Sequence, residues 1–373
     1  MAMVNCLLDG HNRDLPELLQ AWATLPLVAE AAASAGADVT VLQSGRKSGQ
    51  HEANGVRYEF VRERRWPRGA SAGLMPWRLT ASLRRLNPDV VHFNGLDFPL
   101  HLRAACHAGA PVLVQDHAST PRSRSRALRR WSLASATACA FTAEEQAAPF
   151  RAAAQLPARL RIVAVPESSS RFRPGDQQMA RARTGVFGDP AVLSVGRLNA
   201  GKDPLTVLRA VGLALEHLPG LQLWCAFGEA DLLEAVEQIL REDPRLSQHV
   251  HLLGCVPHAR VEALCRACDL FVSASRHEGS GYALLEALAC GLTPVVSDIP
   301  PFRALTGNGE VGALVPVADA GAFAGAVVAQ ASKDRAVARN AVLDHFEREL
   351  SPGALGRRLV AVYETVARTG GLQ

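Results

Sequence analysis

No apolar run in this sequence reaches the ~18 residues that a membrane-spanning helix needs. The opening stretch "MAMVNCLLDGHNRDL" lacks the basic segment, apolar core and small-residue cleavage site of a secretory signal. No Gly-x-Gly-x-x-Gly follows an early strand. A dinucleotide-dependent oxidoreductase therefore has only "GSGYAL" in its favour, and there the third glycine is missing. No Asp-x-Asp metal pattern stands out, and no short-period repeat is visible. The eight cysteines are scattered. Only Cys265 and Cys268 lie close, with no second pair and no His at zinc spacing, so they read as core thiols ahead of a metal or redox pair. Reduced thiols without a signal point to the cytosol.

What is present is a chain of 373 residues, long for one core, so two domains are expected. With 48% hydrophobic and 20% charged residues it has an ordinary soluble composition. The net charge of +4 hides an asymmetry: residues 1–165 hold 20 Lys+Arg against 13 Asp+Glu (+7), and the rest hold 20 against 23 (−3). A basic first half suggests an anionic partner or surface. Its Arg and Trp mixtures, "RYEFVRERRWPRGASAGLMPWRLTASLRRL" and "TPRSRSRALRRW", suit an anionic membrane face or an anionic acceptor, with no nucleic acid expected. Solvated helix faces with Arg stems over apolar surface explain them equally.

Short β-rich runs alternate with helical patterns from end to end. "VNCLL", "DVTVL", "VRYEFV", "DVVHF", "PVLVQ", "ACAFT" and "RIVAV" precede a polar stretch, "PESSSRFRPGDQQ", that reads as a linker. "AVLSVG", "LQLWCAF", "VHLLG", "DLFVSA", "TPVVSD" and "GALVPV" follow it. Strands alternating with helices predict parallel sheets covered on both faces. The expected architecture is α/β, two Rossmann-like domains facing a cleft: residues 1–165, a linker at 166–175, and 176–352. The helix at 353–373 is expected to pack back on the first domain.

Two segments of the second domain carry chemistry. In "RHEGSGYALLEALACG" a strand should deliver Glu278 and the Gly279–Ser280–Gly281 backbone to the cleft, and a helix should run on to Gly291. Glu286 sits in that helix among apolar neighbours, where an unpartnered carboxylate is costly. Either both acids favour the helix dipole, or they face the hydroxyls of a ligand, sugar at Glu278 and ribose at Glu286. In "LSVGRLNAGKDPLTVLRAV" Arg197 and Lys202 follow a strand, and Asp203–Pro204 opens a helix as cap and first residue. Two cations there form a diphosphate site or a pair of solvated loop residues.

The order "VGRL…K…HLLGCV…DLFVSAS…EGSG…E…G…PVV" resembles the donor half of family 4 glycosyltransferases, retaining enzymes of the GT-B fold, over most of residues 190–317. The resemblance implies a nucleotide-sugar donor, UDP- or GDP-linked, and a glycan or lipid-linked acceptor. It implies neither metal nor cofactor. It gives Arg197 and Lys202 the diphosphate, Glu278 the sugar, Glu286 the ribose, and Gly254 to Val256 the base. The first domain departs from the pattern: where the family carries a glycine-rich loop, only Gly10 stands, with Arg13 nearby. "DVVHFNG" and "PVLVQDHAST" resemble the strands whose ends meet the transferred sugar, which points to His117, then His92, with Asn94 where a second His is common. Either His reads equally as a structural residue bonded to a loop. A non-catalytic protein of the same fold that binds a sugar nucleotide is the rival to an enzyme.

Overall fold

Thirteen apolar runs of the sequence become strands, and a fourteenth is added where the residues are polar. The computed structural model describes residues 1–373 except 10, 12, 64–74, 118, 122–125 and 371–373. It divides into two units, Met1–Ser169 with Pro352–Gln373, and Ser170–Ser351.

The first unit is an eight-stranded sheet: β1 Ala2–Asn5, β2 Val39–Ser44, β3 Gly49–Ala53, β4 Val56–Val61, β5 Val91–Asn94, β6 Val112–Gln115, β7 Ala138–Phe141 and β8 Arg161–Ala164, in the order β3-β4-β2-β1-β5-β6-β7-β8. All neighbours are parallel except the β3–β4 hairpin. Strand β3 is the addition: an edge strand, "GQHEA", whose residues alternate half-buried and exposed, so no apolar run announces it. Helices cover both faces, as a parallel sheet requires. On one face α1 (Leu15–Ala21) and α2 (Thr24–Ser34) share a core with Leu355, Leu359, Tyr363 and Val366 of the C-terminal helix Pro352–Gly370. On the other, Leu79 and Leu83 of α3 (Trp77–Leu86), Leu102 of α4 (Pro99–Cys106) and Leu133 of α5 (Arg126–Leu133) form a second core.

The second unit has six parallel strands: β9 Ala191–Gly196, β10 Gln222–Phe227, β11 Val250–Gly254, β12 Leu270–Ser273, β13 Thr293–Ser297 and β14 Ala313–Val315, in the order β11-β10-β9-β12-β13-β14. The order reverses between β9 and β12. At such a switch point the loops leave the two strands in opposite directions and open a crevice at the carboxyl ends, where open α/β sheets bind ligands. Three helices frame that end: α6 Pro204–Ala214 after β9, α7 His258–Ala267 after β11, and α8 Tyr282–Ala289 after β12. Their apolar faces close a core around Phe271, Leu284, Leu285 and Leu288 on one side of the sheet and around Val192, Val207 and Val211 on the other.

Candidate functional site

The loops after β9 and β12 are stitched together across the switch point. The Arg276 N–H donates to the Gly201 carbonyl at 2.9 Å. The Arg276 guanidinium donates to Asp203 Oδ2 at 2.7 Å, while Asp203 Oδ1 caps α6 through the Thr206 N–H at 3.4 Å. Asp203 does this from a left-handed backbone, φ 49°. Lys202 Nζ donates to Glu278 Oε1, which also accepts from Ser275 Oγ at 2.8 Å. Asn199 Oδ1 holds the Lys202 N–H at 3.0 Å. Two residues 76 positions apart thus become one partly buried ion pair.

Beside the pair lies an open pocket of ≈ 350 Å³ at the carboxyl ends of β9, β10 and β11. Arg197, Lys202, Gly228, Cys255, Val256 and Val261 line it. Arg197 reaches toward Glu229 at 3.5 Å and stays mostly exposed, so its guanidinium is held far less tightly than the Lys202 ammonium. Gly254 ends β11 in a left-handed conformation at φ 67°, and Val256 follows it to the pocket wall. Polar atoms around an apolar-floored concavity suit a nucleotide, whose base is flat and whose phosphates are charged.

Glu286 is 4% exposed in the second turn of α8. It is not without a partner. His258 Nε2, at the start of α7, meets Glu286 Oε1. Burial raises the Glu286 carboxyl above its ordinary value, and the His258 contact opposes that rise. Gly281 begins α8 at φ 64°, and a Cβ there would lie 2.8 Å from Leu305 Cδ1. Glycine therefore lets the Gly279–Ser280–Gly281 turn sit against Phe302 and Leu305 of the short helix Pro300–Leu305.

In the first unit, β5 ends at Asn94 and β6 at Gln115, which carries His117 just beyond the sheet. His117 Nδ1 meets Glu167 Oε1 at 2.5 Å and Nε2 meets Asn94 Oδ1 at 3.0 Å. Asn94 in turn donates from Nδ2 to the Val4 carbonyl at 3.3 Å. The neighbouring Asp116 is buried and pushed up to about 6, chiefly by that burial, against the Ser119 bonds that lower it. His92 is enclosed under the C-terminal helix, with Nδ1 at 2.7 Å from the Tyr363 hydroxyl. Full burial lowers it to about 3, so it is a neutral core group. Arg13 pairs with Asp9 at 2.9 Å and shares a ≈ 130 Å³ pocket with Arg46 and Lys47. Gly10 lies outside the described residues.

The structure thus joins Lys202 with Glu278, sets Arg197 and Val256 on one pocket with Lys202, and joins Asn94 with His117. It takes His92 into the core. Sequence reasoning missed Arg276, His258 and Glu167. Glu167 sits in the stretch read as a polar linker, and His258 follows "GCVP" with no pattern of its own, so neither had a local signal.

Residues 27–165 match the family model described as "Glycosyltransferase Family 4", and residues 176–342 the model "Glycosyl transferases group 1". Over 239 residues the chain is 31% identical to the GDP-mannose:cellobiosyl-diphosphopolyprenol alpha-mannosyltransferase of Xanthomonas campestris, covering 61% of this chain and 60% of that protein. It is 34% identical over 194 residues to the phosphatidyl-myo-inositol mannosyltransferase of Mycobacterium leprae, covering 48% of this chain and 47% of the relative. The matched segments therefore span less than two thirds of these relatives. The solved sucrose-phosphate synthase of Thermosynechococcus elongatus shares the fold, with a TM-score of 0.68 over 98% of this chain and 99% of its own at 18% identity. Two family models met in order along the chain, over the paired parallel sheets described above, place it: the chain belongs to the family 4 glycosyltransferases, of GT-B type.

Proposed function

We propose that the chain moves a sugar, with retention of configuration, from a UDP- or GDP-linked donor to a hydroxyl of a glycan or lipid-linked glycan. The observation that carries this is the Lys202–Glu278 pair beside Arg197 at the switch point of the second sheet. A diphosphate needs cations whose grip strengthens as its leaving oxygen gains charge. Arg197 and Lys202 supply them, and Glu278 supplies an acceptor for sugar hydroxyls. The bond from the anomeric carbon to the diphosphate breaks, and its electron pair stays on the phosphate oxygen. The acceptor oxygen then bonds the same face of that carbon, and its proton passes to the departing phosphate. In this scheme the cations neutralise the leaving group, and no resident metal or cofactor is required. His117 serves the transferred sugar and Glu286 the ribose. The names of the two relatives, one a GDP-mannose enzyme and one acting on a phosphatidylinositol, support a nucleotide-sugar donor and a lipid-bound acceptor.

The double variant Arg197→Ala, Lys202→Ala tests the proposal. Removing one such contact should cost on the order of 2.7–4 kcal/mol of transition-state stabilisation, roughly a hundred- to a thousandfold in rate. The two losses should be non-additive, since both act on one group. Turnover of UDP- and GDP-sugars is measured on both single variants and the double, with melting temperature as the folding control. Near-normal turnover in a folded double variant refutes the donor assignment.

The proposed membrane contact of the basic half falls on α3, α4 and α5. Together they hold Arg78, Arg84, Arg85, Arg103, Arg126 and Arg130, exposed or half-buried, and no acidic residue, while Arg129 is buried against Asp97 and Gln155. Trp77 is 72% exposed and Trp131 45%. Arg103 lies over the Trp131 ring at 4.8 Å. Residues 64–74 and 122–125 of the two basic stretches lie outside the described residues. Among the described residues no helix is long and apolar enough to cross a membrane. A surface of Arg with exposed Trp suits the headgroup region of an anionic bilayer.

A further inference from the structure

Glu286 presents a physical problem that the donor reading alone does not solve. It is a carboxylate in a helix whose neighbours Leu284, Leu285, Ala287 and Leu288 are all buried. A ribose hydroxyl bonds a carboxylate well only if that carboxylate is ionised and correctly turned. Something in the protein must keep it so.

The group in contact is His258. Its Nε2 meets Glu286 Oε1, and among the described residues no hydrogen bond is made to Oε2. The imidazole is itself held. Its ring packs on Phe172 with centroids 4.7 Å apart at 40°, and it is the first residue of α7, which buries Val261, Leu264 and Cys265 in the core around α8. Pro257 at the cap fixes the entry to that helix. The residues just before it, Cys255 and Val256, line the donor pocket with Lys202. His258 therefore stands between the pocket wall and the carboxylate, with its orientation set by stacking and by the helix start.

We infer that His258 is a positioning residue of the donor site, gripping Oε1 of Glu286 so that Oε2 is presented to a ribose hydroxyl. This rests on the donor reading of Glu286. It adds that the ribose contact of this chain is a two-residue device, split between α7 and α8, with the second member invisible in the E-x7-E spacing.

The pair also gives donor affinity a pH response of definite sign. Burial raises Glu286, as does Glu262 on α7, while His258 opposes both. The other titratable neighbours are Cys265 on α7 and Tyr282 on α8, and Tyr282 itself faces Arg171. Glu262 is engaged with Arg266 and the Arg173 N–H. Removing His258 leaves the raising influences unopposed. The carboxyl then takes up its proton at a higher pH, and the loss of affinity on acidification starts earlier.

The test is calorimetric titration of UDP and GDP into the full chain, across about pH 6 to 8, for wild type, His258→Ala, His258→Gln and Glu286→Gln. Glu286→Gln should weaken binding by about tenfold at every pH. His258→Ala should weaken it by about threefold near pH 8, on the order of one charge-assisted bond, and by more as the pH falls toward about 6. His258→Gln, which keeps a side-chain N–H donor, should recover most of the loss near pH 8. It should also report if the alanine variant fails to fold. Wild-type affinity in His258→Ala and His258→Gln at both pH values, with Glu286→Gln still weakened, overturns the positioning role and leaves the donor reading intact. An equal loss in His258→Ala and His258→Gln also overturns it, since a purely structural defect is not relieved by restoring a side-chain N–H donor. Unchanged binding in a folded Glu286→Gln strikes the donor reading of Glu286 itself.

Discussion

Three of the functional side chains are each held closely by partners, while Arg197 stays mostly exposed. Lys202 is held by Glu278, Glu286 by His258, and His117 by Glu167 and Asn94. For His117 the consequence is testable. Glu167 fixes the ring through Nδ1, so a substrate atom that takes the place of Asn94 at Nε2 meets a ring already oriented. His117→Ala should lower turnover by about tenfold or more while nucleotide affinity stays within about twofold, the pattern of a contact made late in the reaction. Glu167→Gln keeps the bond and loses the charge, and should lower turnover less. Full activity in a folded His117→Ala protein would show the residue to be structural. A second residue-scale prediction concerns His101, buried in α4 and lowered to about 4 by that burial. Its folded value lies below the unfolded one, so its contribution is complete above about 6.5 and is lost as pH falls toward 4. Within that window it costs the wild type about 1.4 kcal/mol per pH unit. His101→Leu has no such proton to take up. The melting-temperature gap between wild type and this variant should therefore shift in favour of the variant between about pH 7 and 4.5. A gap that stays constant overturns the assignment.

At the scale of elements, the loop before α8 depends on one backbone conformation. Gly281 has φ 64°, and a methyl carbon placed on it would lie 2.8 Å from Leu305 Cδ1 and 3.2 Å from Phe302 Cε1. Gly185, which ends the helix Gln177–Thr184 at φ 75°, meets nothing within 4 Å. An alanine at either position carries the left-handed penalty of roughly 1–2 kcal/mol. Only Gly281→Ala adds a clash, and its side chain pushes on the turn that bears Glu278. Denaturant midpoints and nucleotide affinity should separate the two. Both variants lose stability, Gly281→Ala the more, and Gly281→Ala alone loses affinity. Equal effects on affinity would show that the turn does not need its present shape.

At the scale of the whole molecule, charge is unevenly shared between the halves of the chain, +7 against −3. The acid-free trio α3, α4 and α5, with Trp77 and Trp131 exposed, concentrates the excess on helices of one core. The chain should sediment with anionic vesicles at low salt and be released as screening shortens to about 8–10 Å near physiological salt and to about 3 Å at 1 M. Trp77→Ala with Trp131→Ala should weaken the association that salt leaves. Equal sedimentation with neutral vesicles at every salt concentration would sink the membrane reading.

Periodicity and spacing in the sequence were enough for the parallel sheets, for the Asp203–Pro204 helix start and for Gly281 before α8. These depend on local backbone preference and on burial of one or two faces, both written in neighbouring residues. They also marked Glu286 as a costly carboxylate among apolar neighbours and Arg197, Lys202 and Glu278 as candidates at strand ends, while the choice between ligand contacts and solvated loop residues stayed open. Edge strand β3 escaped because a polar strand is recruited by its hairpin partner β4 and carries no apolar period of its own. The partners of the site escaped for a related reason. His258, Arg276 and Glu167 reach Glu286, Asp203 and His117 across 28, 73 and 50 residues. His92 lies inside β5 and His117 two residues beyond β6, and one is drawn under Tyr363 while the other is set beyond the sheet. Which of two such residues is a core group, and which carboxylate is held by which base, depends on contacts between distant segments. Those contacts exist only once the sheets are assembled.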